Sequence, residues 1–450
     1  MTVVFALLGM VIVPTSIFFS IGLGAILVVV VAVLAALTLV PAILSLLDNR
    51  INSLRVPFMS PPADNAGEAV TGFWAYMTRL VMNYPWPALI IAGGLLIAAT
   101  IPYFSIQTGS AAVDTLPDSF KAKKAFLTLQ REFPAMLGGV SAADILVDGD
   151  AGSEEVRADI DRLKASLEGN SFYDLEGLEY IVNEAGDTGR LKVTMPVDSA
   201  TREAVDAIEV LREETIPKAD IPADLYVGGQ AAGNLDFFDL ADQWTPIVIS
   251  FVLILTFIFL MGVFRSIIVP IKAVILNLLS VGAAYGLLVL VLQKGVGNEI
   301  FGFQQVETIE AWLPVFLFSI LFGLSMDYEV FLLSRIRERY DQTRSNLDSV
   351  AFGLKSTGSI ITGAALIMVA VFGGFVIGDL VMFQQMGFGL GVAILVDATI
   401  IRAILVPATM RLLGDFNWYL PGFLNWMPDL RVESSEEIVG TPTTREALAD

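Results

Sequence analysis

Eight stretches of the chain are apolar over the length, about 20 residues, that a helix needs to cross bilayer hydrocarbon. They run over 2–18, 21–47, 84–104, 245–264, 269–292, 312–333, 358–378 and 384–409, the first two parted only by a short break around Pro14–Ser20. Polar positions collect elsewhere, above all in the long segment 105–244 between the third and fourth stretches. There a strand-like run, Ala142–Val147, precedes a helix-like Glu154–Leu167. Two strand-like runs follow, Leu178–Val182 and Leu191–Met195, then a helix over about Ala200–Ile216 and a last strand at Asp224–Val227. The order β-α-β-β-α-β is the split βαβ arrangement of ferredoxin-like domains. The pattern predicts an α-helical polytopic membrane protein of about eight transmembrane helices, carrying one α+β ferredoxin-like domain outside the membrane.

Composition agrees. Hydrophobic residues make up 55% of the 450 positions and charged residues only 16%, against about a quarter charged in soluble domains. Mean hydropathy is +0.70. The segment 105–244 holds 12 Lys/Arg and 27 Asp/Glu, a balance of −15 out of a whole-chain charge of −20. That acidity argues against nucleic acid as a partner. Cysteine and histidine are both absent, which excludes disulfides, thiol catalysis, Cys/His zinc sites and a Ser-His-Asp triad, and an enzyme is not expected. The first apolar segment lacks a basic leading region and is too long to read as a cleaved signal peptide.

Short loops set the orientation through their Lys and Arg. Ser334–Thr357 carries Arg335, Arg337, Arg339, Arg344 and Lys355, the turn Phe264–Ser266 carries Arg265, and the loop after the second span carries Arg50, Arg55 and Arg79. Loop 293–311 offers only Lys294 against Glu299, Glu307 and Glu310. If spans alternate, the basic loops share one side, so both termini are expected in the cytoplasm and 105–244 outside. The expected division is two membrane helices in 1–48, a cytoplasmic linker 49–83, a membrane helix 84–104, the external domain 105–244, a five-helix bundle 245–412, and an interfacial aromatic segment with an acidic, disordered tail over 413–450.

Ionisable residues inside spans are the candidates for chemistry, since hydrocarbon makes them expensive to keep. Gly323-Leu324-Ser325-Met326-Asp327-Tyr328-Glu329 lies in the inner half of the sixth span, and Val396-Asp397-Ala398-Thr399 lies mid-span in the eighth. Counting about 1.5 Å per residue from each span's start, Asp327 and Asp397 reach nearly the same depth and are expected to face one another across the bundle. A carboxyl stripped of hydration can take up and release protons near neutral pH, and Tyr328 supplies a phenolic partner. The plainer alternative is a polar clamp between helices. Ser325, Glu329 and Arg402 are candidate supporting residues, Arg402 pairing with an acid or snorkelling inward. Glu329 reads as interfacial. Neither a phosphate-binding G-x-x-x-x-G-K-[ST] nor a metal-ligand cluster stands in the sequence, so a proton gradient, without nucleotide or cofactor, is the expected energy source.

One repeat stands out. Leu39-Val40-Pro41-Ala42 returns as Leu405-Val406-Pro407-Ala408, and Gly22-Leu23-Gly24 returns as Gly389-Leu390-Gly391, so the second and last spans read as copies of one helix.

The run Phe322-Gly323-Leu324-Ser325-Met326-Asp327-Tyr328-Glu329-Val330-Phe331-Leu332, followed by Ser334-Arg335-Ile336-Arg337-Glu338, resembles the signature of the mycobacterial membrane protein large (MMPL) family of the RND superfamily. Phe264-Arg265-Ser266, Asp397-Ala398-Thr399, Leu405-Val406-Pro407-Ala408 and Asn417-Trp418-Tyr419-Leu420-Pro421 are similar to that family as well. The resemblance implies proton-coupled export of lipids or other hydrophobic compounds by an RND-type fold of twelve spans in two halves, each with an external porter domain. It also implies that Asp327 and Tyr328 form a proton-relay pair with Asp397 as a supporting acid. Four initial spans, a first porter domain and a second Asp-Tyr pair have no counterpart in these 450 residues, so a separately supplied first half or self-association is expected. Two other functions fit the same fold: a lipid sensor or regulator that moves nothing, and a protein-export auxiliary.

Overall fold

The computed structural model describes residues 2–47, 73–110, 112–133, 142–168, 173, 179–195, 197–424 and 426. The chain begins with helices α1 (Thr2–Val11), α2 (Ser16–Leu47), α3 (Phe73–Asn83) and α4 (Pro85–Thr100). Strand β1 (Thr108–Gly109) and α5 (Lys121–Glu132) lead into β2 (Ala142–Asp148), α6 (Glu154–Glu168), β3 (Tyr180–Val182), β4 (Thr188–Thr194), α7 (Arg202–Val210), α8 (Ile216–Ala219) and β5 (Asp224–Gly229). Then come α9 (Gln230–Phe264), α10 (Ile268–Leu288), α11 (Asn298–Phe301), β6 (Ile309–Glu310), α12 (Leu313–Thr343) and α13 (Asn346–Val376). The last membrane helix is α14 (Val381–Val396) and α15 (Val406–Leu413), joined by a π-helical stretch, Asp397–Leu405.

Among the described residues, seven helical segments are long and apolar enough to cross a membrane, and the chain is a multi-pass membrane protein. The sequence pattern counts eight. The difference lies at the start: α1 has ten residues, about 15 Å of helix against a hydrocarbon core of about 30 Å. The chain turns at Pro14, and the Thr15 side chain accepts the Phe18 amide at 3.3 Å to start the next helix.

Three further boundaries differ from the hydropathy reading. Ser334–Thr357 is not a loop, because α12 and α13 run through it and leave only a tight turn at Arg344–Ser345. Arg344 takes the left-handed conformation (φ 53°), and the Ser345 side chain caps α13 by accepting the Asp348 amide. Charged helix ends of this kind stand outside hydrocarbon, so apolarity alone cannot see them. Likewise α9 begins at Gln230 instead of 245, directly from β5. Gly229 makes that joint possible, since its φ is 109° and a Cβ there would lie 2.4 Å from the Ala142 carbonyl oxygen. Residues 49–72 of the expected linker, and with them Arg50 and Arg55, lie outside the described residues. The rest of that linker is α3, packed on α13 and α15. The tail after residue 426 is likewise outside the description.

The α+β unit holds one four-stranded antiparallel sheet in the order β3-β4-β2-β5. The first strand of the β-α-β-β-α-β order thus sits between the third and the fourth, the ferredoxin-like arrangement. Alternation builds its core: Ala143, Ile145 and Val147 point inward with Leu191 and Val193, against Ile160, Leu163 and Ile208 of the helices. Of the expected strand Leu178–Val182, Leu178 is outside the described residues. Two joints fix the unit to the membrane section. β1 pairs in parallel with β6 (Thr108 opposite Ile309), and Arg212 bonds both the Val227 carbonyl, at 2.7 Å, and the Asp236 carboxylate.

In the membrane section α12 packs against α1, α9, α10, α13 and α14, around Met10, Phe318, Phe322 and Leu390. α2 buries only Phe18 and Gly22.

Candidate functional site

Position along α12 decides which of its polar groups meet. At about 100° per residue, Ser325, Tyr328 and Glu329 fall on one face, whereas Asp327 lies about 200° from Ser325 on the other. The expected encounter of Asp327 with Asp397 therefore does not occur. Asp327 is exposed, and its Oδ1 accepts a hydrogen bond from the Thr2 hydroxyl of α1. The residue that meets Asp397 is Ser325.

Asp397 is 6% exposed and Arg402 2%. Arg402 Nε donates to Asp397 Oδ2 at 2.9 Å, and its Nη2 donates to the Ser325 carbonyl and, at 3.0 Å, to the Ser325 hydroxyl. The Ser325 hydroxyl lies 2.9 Å from Asp397 Oδ1 and 2.8 Å from Asn277 Oδ1. It has one proton, so it donates to one of them at a time. Asn277 Nδ2 in turn donates to Glu329 Oε2 at 3.3 Å. Glu329, read from the sequence as interfacial, is buried at 2% exposure, because it shares the inward face with Ser325 one turn away.

Tyr328 keeps its hydroxyl away from Asp327: the phenol contacts Met368 Sδ at 3.4 Å, and the Arg402 guanidinium stands 5.4 Å over the ring. Ser325, Tyr328, Asn277 and Asp397 also line a cavity of about 10 Å³, close to the space one water molecule needs.

Two members of this network, Asn277 and Lys272, were not singled out from sequence. Both belong to α10, both are buried, and Arg402 and Lys272 are the cations within electrostatic reach of Glu329. Their signal was present, since a lysine and an asparagine interrupt an otherwise apolar helix and intramembrane polar groups are functional candidates. The cluster thus balances two carboxylates, Asp397 and Glu329, with two cations. That is the condition under which charge is tolerated inside a membrane protein.

The sequence profile of the MMPL family matches residues 1–90 and 114–429, which include every residue of this cluster. The chain is 34% identical over 445 residues to the mycolic acid-containing lipids exporter MmpL11 of Mycolicibacterium smegmatis, covering 94% of this chain and 44% of that protein. It is 34% identical over 439 residues to the heme uptake protein MmpL11 of Mycobacterium tuberculosis, with the same two coverages. Against the membrane protein YdfJ of Bacillus subtilis it is 31% identical over 453 residues, covering 97% of this chain and 58% of that one. The chain spans about half the length of these curated relatives.

Proposed function

This chain belongs to the MMPL family, and from that premise we propose that it serves proton-driven export of lipids or other hydrophobic molecules across the cytoplasmic membrane. One observation carries the reading: α12 stands between two carboxylates on its opposite faces, its own Asp327 and Asp397 of the last membrane helix. On one face Asp397 is fixed by Arg402 and Ser325. On the other, Asp327 bonds a threonine hydroxyl and has no cation partner among the described residues. Asp327 is then the exchanging carboxyl, and the Asp397–Arg402–Ser325 cluster is the anchor through which a change at α12 reaches α14 and α10. Tyr328 and the water-sized cavity adjoin Asp397 and Ser325, and a proton moving from Asp327 toward them passes around α12. The α+β unit is the external porter domain, with the basic α12–α13 turn and the end of the last membrane helix on the cytoplasmic side. A lipid cargo is supported by the exporter name of the M. smegmatis relative. Haem, named for the M. tuberculosis relative, is tested in the same assay with haemin outside.

The test is reconstitution in liposomes holding a pH-sensitive dye, with a mycolate ester as cargo. Proton flux that depends on cargo and disappears in Asp327→Asn supports the reading. Unchanged flux in Asp327→Asn, or no flux in the wild type, favours a sensor of the same fold.

A further inference from the structure

Between α4, α10 and α15 a groove of about 630 Å³ runs open to the lipid side of the bundle. Its walls are almost wholly hydrocarbon, lined by Leu89 and Ile97 of α4, Ile271 and Ile275 of α10, and Leu413 of α15. Two glycines, Gly93 and Gly94, widen it, and a Cβ at either would meet nothing within 4 Å. One cation borders this apolar space. Lys272 lines the groove, is 6% exposed, and its Nζ has no hydrogen-bond partner among the described residues. An ammonium carries three donors and a full charge, and leaving it unpaired away from water is unfavourable. Glu329 attracts this charge but does not hydrogen-bond it: Asn277 takes its Oε2, and its Oε1 also lacks a hydrogen-bond partner among the described residues.

The depth of Lys272 says what kind of anion is within reach. It is the fifth residue of α10, about 6 Å from the helix start. That start is tied to the aromatic segment after α15: Ser266 Oγ donates to the Asn417 carbonyl at 2.6 Å, and the Ile267 amide donates to the Tyr419 carbonyl at 3.1 Å. Trp418 and Tyr419 are residues of the kind that mark the membrane interface. Lys272 therefore sits near the boundary between head groups and acyl chains, on a four-carbon stem that can turn toward either. We propose that the groove holds the acyl chain of a resident membrane lipid whose acidic head group takes the Lys272 ammonium as its counter-ion. A zwitterionic lipid brings its own cation and satisfies Lys272 less well. The groove shares Lys272 with the buried cluster, and lipid binding there does not depend on whether the protein couples to protons.

The full chain, purified in detergent and delipidated, is titrated with phosphatidylglycerol or phosphatidylcholine of the same chain length, and bound lipid is counted by native mass spectrometry. Wild-type protein is expected to prefer phosphatidylglycerol about tenfold. Lys272→Met should bring the preference close to one, and Lys272→Arg should keep most of it. Gly93→Leu, at a position where an added Cβ meets nothing within 4 Å, should fill the groove and lower retention of both lipids while leaving the thermal transition in place, which keeps the test decisive if Lys272→Met fails to fold. Glycerol phosphate, the head group without chains, should not compete at equal concentration. Equal retention of the two lipids by the wild type, or a preference that survives both Lys272→Met and Gly93→Leu, would overturn the site.

Discussion

Arg402 meets Asp397 from five positions further along the same helix, Nε to Oδ2 at 2.9 Å, and the winding of the backbone makes this possible. In an α-helix five residues advance about 500°, leaving the two side chains about 140° apart. The stretch Asp397–Leu405 is π-helical, and its i→i+5 repeat stacks them. Pro407 alone does not impose this winding. The same Leu-Val-Pro-Ala sequence occurs around Pro41, where α2 is α-helical throughout. What differs is the buried pair, which lies within reach of Ser325 on α12.

The pair should therefore show strong coupling. Arg402→Met leaves a buried carboxylate without its cation, a change that costs on the order of 3–5 kcal/mol in comparable buried pairs. The double variant Arg402→Met with Asp397→Leu should recover much of the loss. A double-mutant cycle on denaturation of the detergent-solubilised protein checks this. Additive effects of the two changes would show that the contact carries no interaction energy.

The two acids should part company in their phenotypes. Asp397→Asn strands Arg402 and is expected to lower thermal stability, whereas Asp327→Asn, at an exposed position, should leave the transition within a degree or two. Its loss should appear in proton-coupled transport. Tyr328→Phe removes only a contact to Met368 and should impair transport less than Asp327→Asn. Melting curves and flux measured on the same preparations separate the cases, and a large stability loss in Asp327→Asn would contradict the placement of that residue.

Glycines in the membrane helices are not equivalent. A Cβ at Gly286 would lie 1.9 Å from the Ala99 carbonyl oxygen, whereas one at Gly363 meets nothing within 4 Å. Gly286→Val should push α10 away from α4 at a cost of about 1–3 kcal/mol or more, as overpacking does. Gly363→Ala should be neutral or slightly stabilising in its exposed helix. Expression level and denaturation midpoint report both, and similar behaviour of the two variants would refute the close α4–α10 contact.

Orientation is open to direct test. Reporters fused near Gly186, in the β3–β4 turn, are expected to read as extracytoplasmic, and reporters at Arg344, in the α12–α13 turn, as cytoplasmic. The expectation rests on the basic residues of that turn. Phosphatase and fluorescent-protein fusions give opposite signals on the two sides. A cytoplasmic signal from the Gly186 fusion would reverse the assignment.

Local pattern by itself determined the membrane helices, the ferredoxin-like strand order and the family, because hydrocarbon length, side-chain alternation and a contiguous motif are properties of neighbours in sequence. It also singled out Asp327, Asp397 and Arg402 as candidates, since each is an ionisable group in or at the end of an apolar run. Which of them touch was decided only in three dimensions. Depth along two helices placed Asp327 and Asp397 level, but rotation about α12 turned Asp327 toward Thr2 and gave Asp397 to Ser325. No residue count expresses that rotation without the packing partners. Burial of Glu329, the entry of Asn277 and Lys272 from α10, and the π winding that joins Asp397 to Arg402 are likewise products of three helices closing on one another. Buried polar groups need partners, and those partners came from segments about 50 to 80 residues away along the chain.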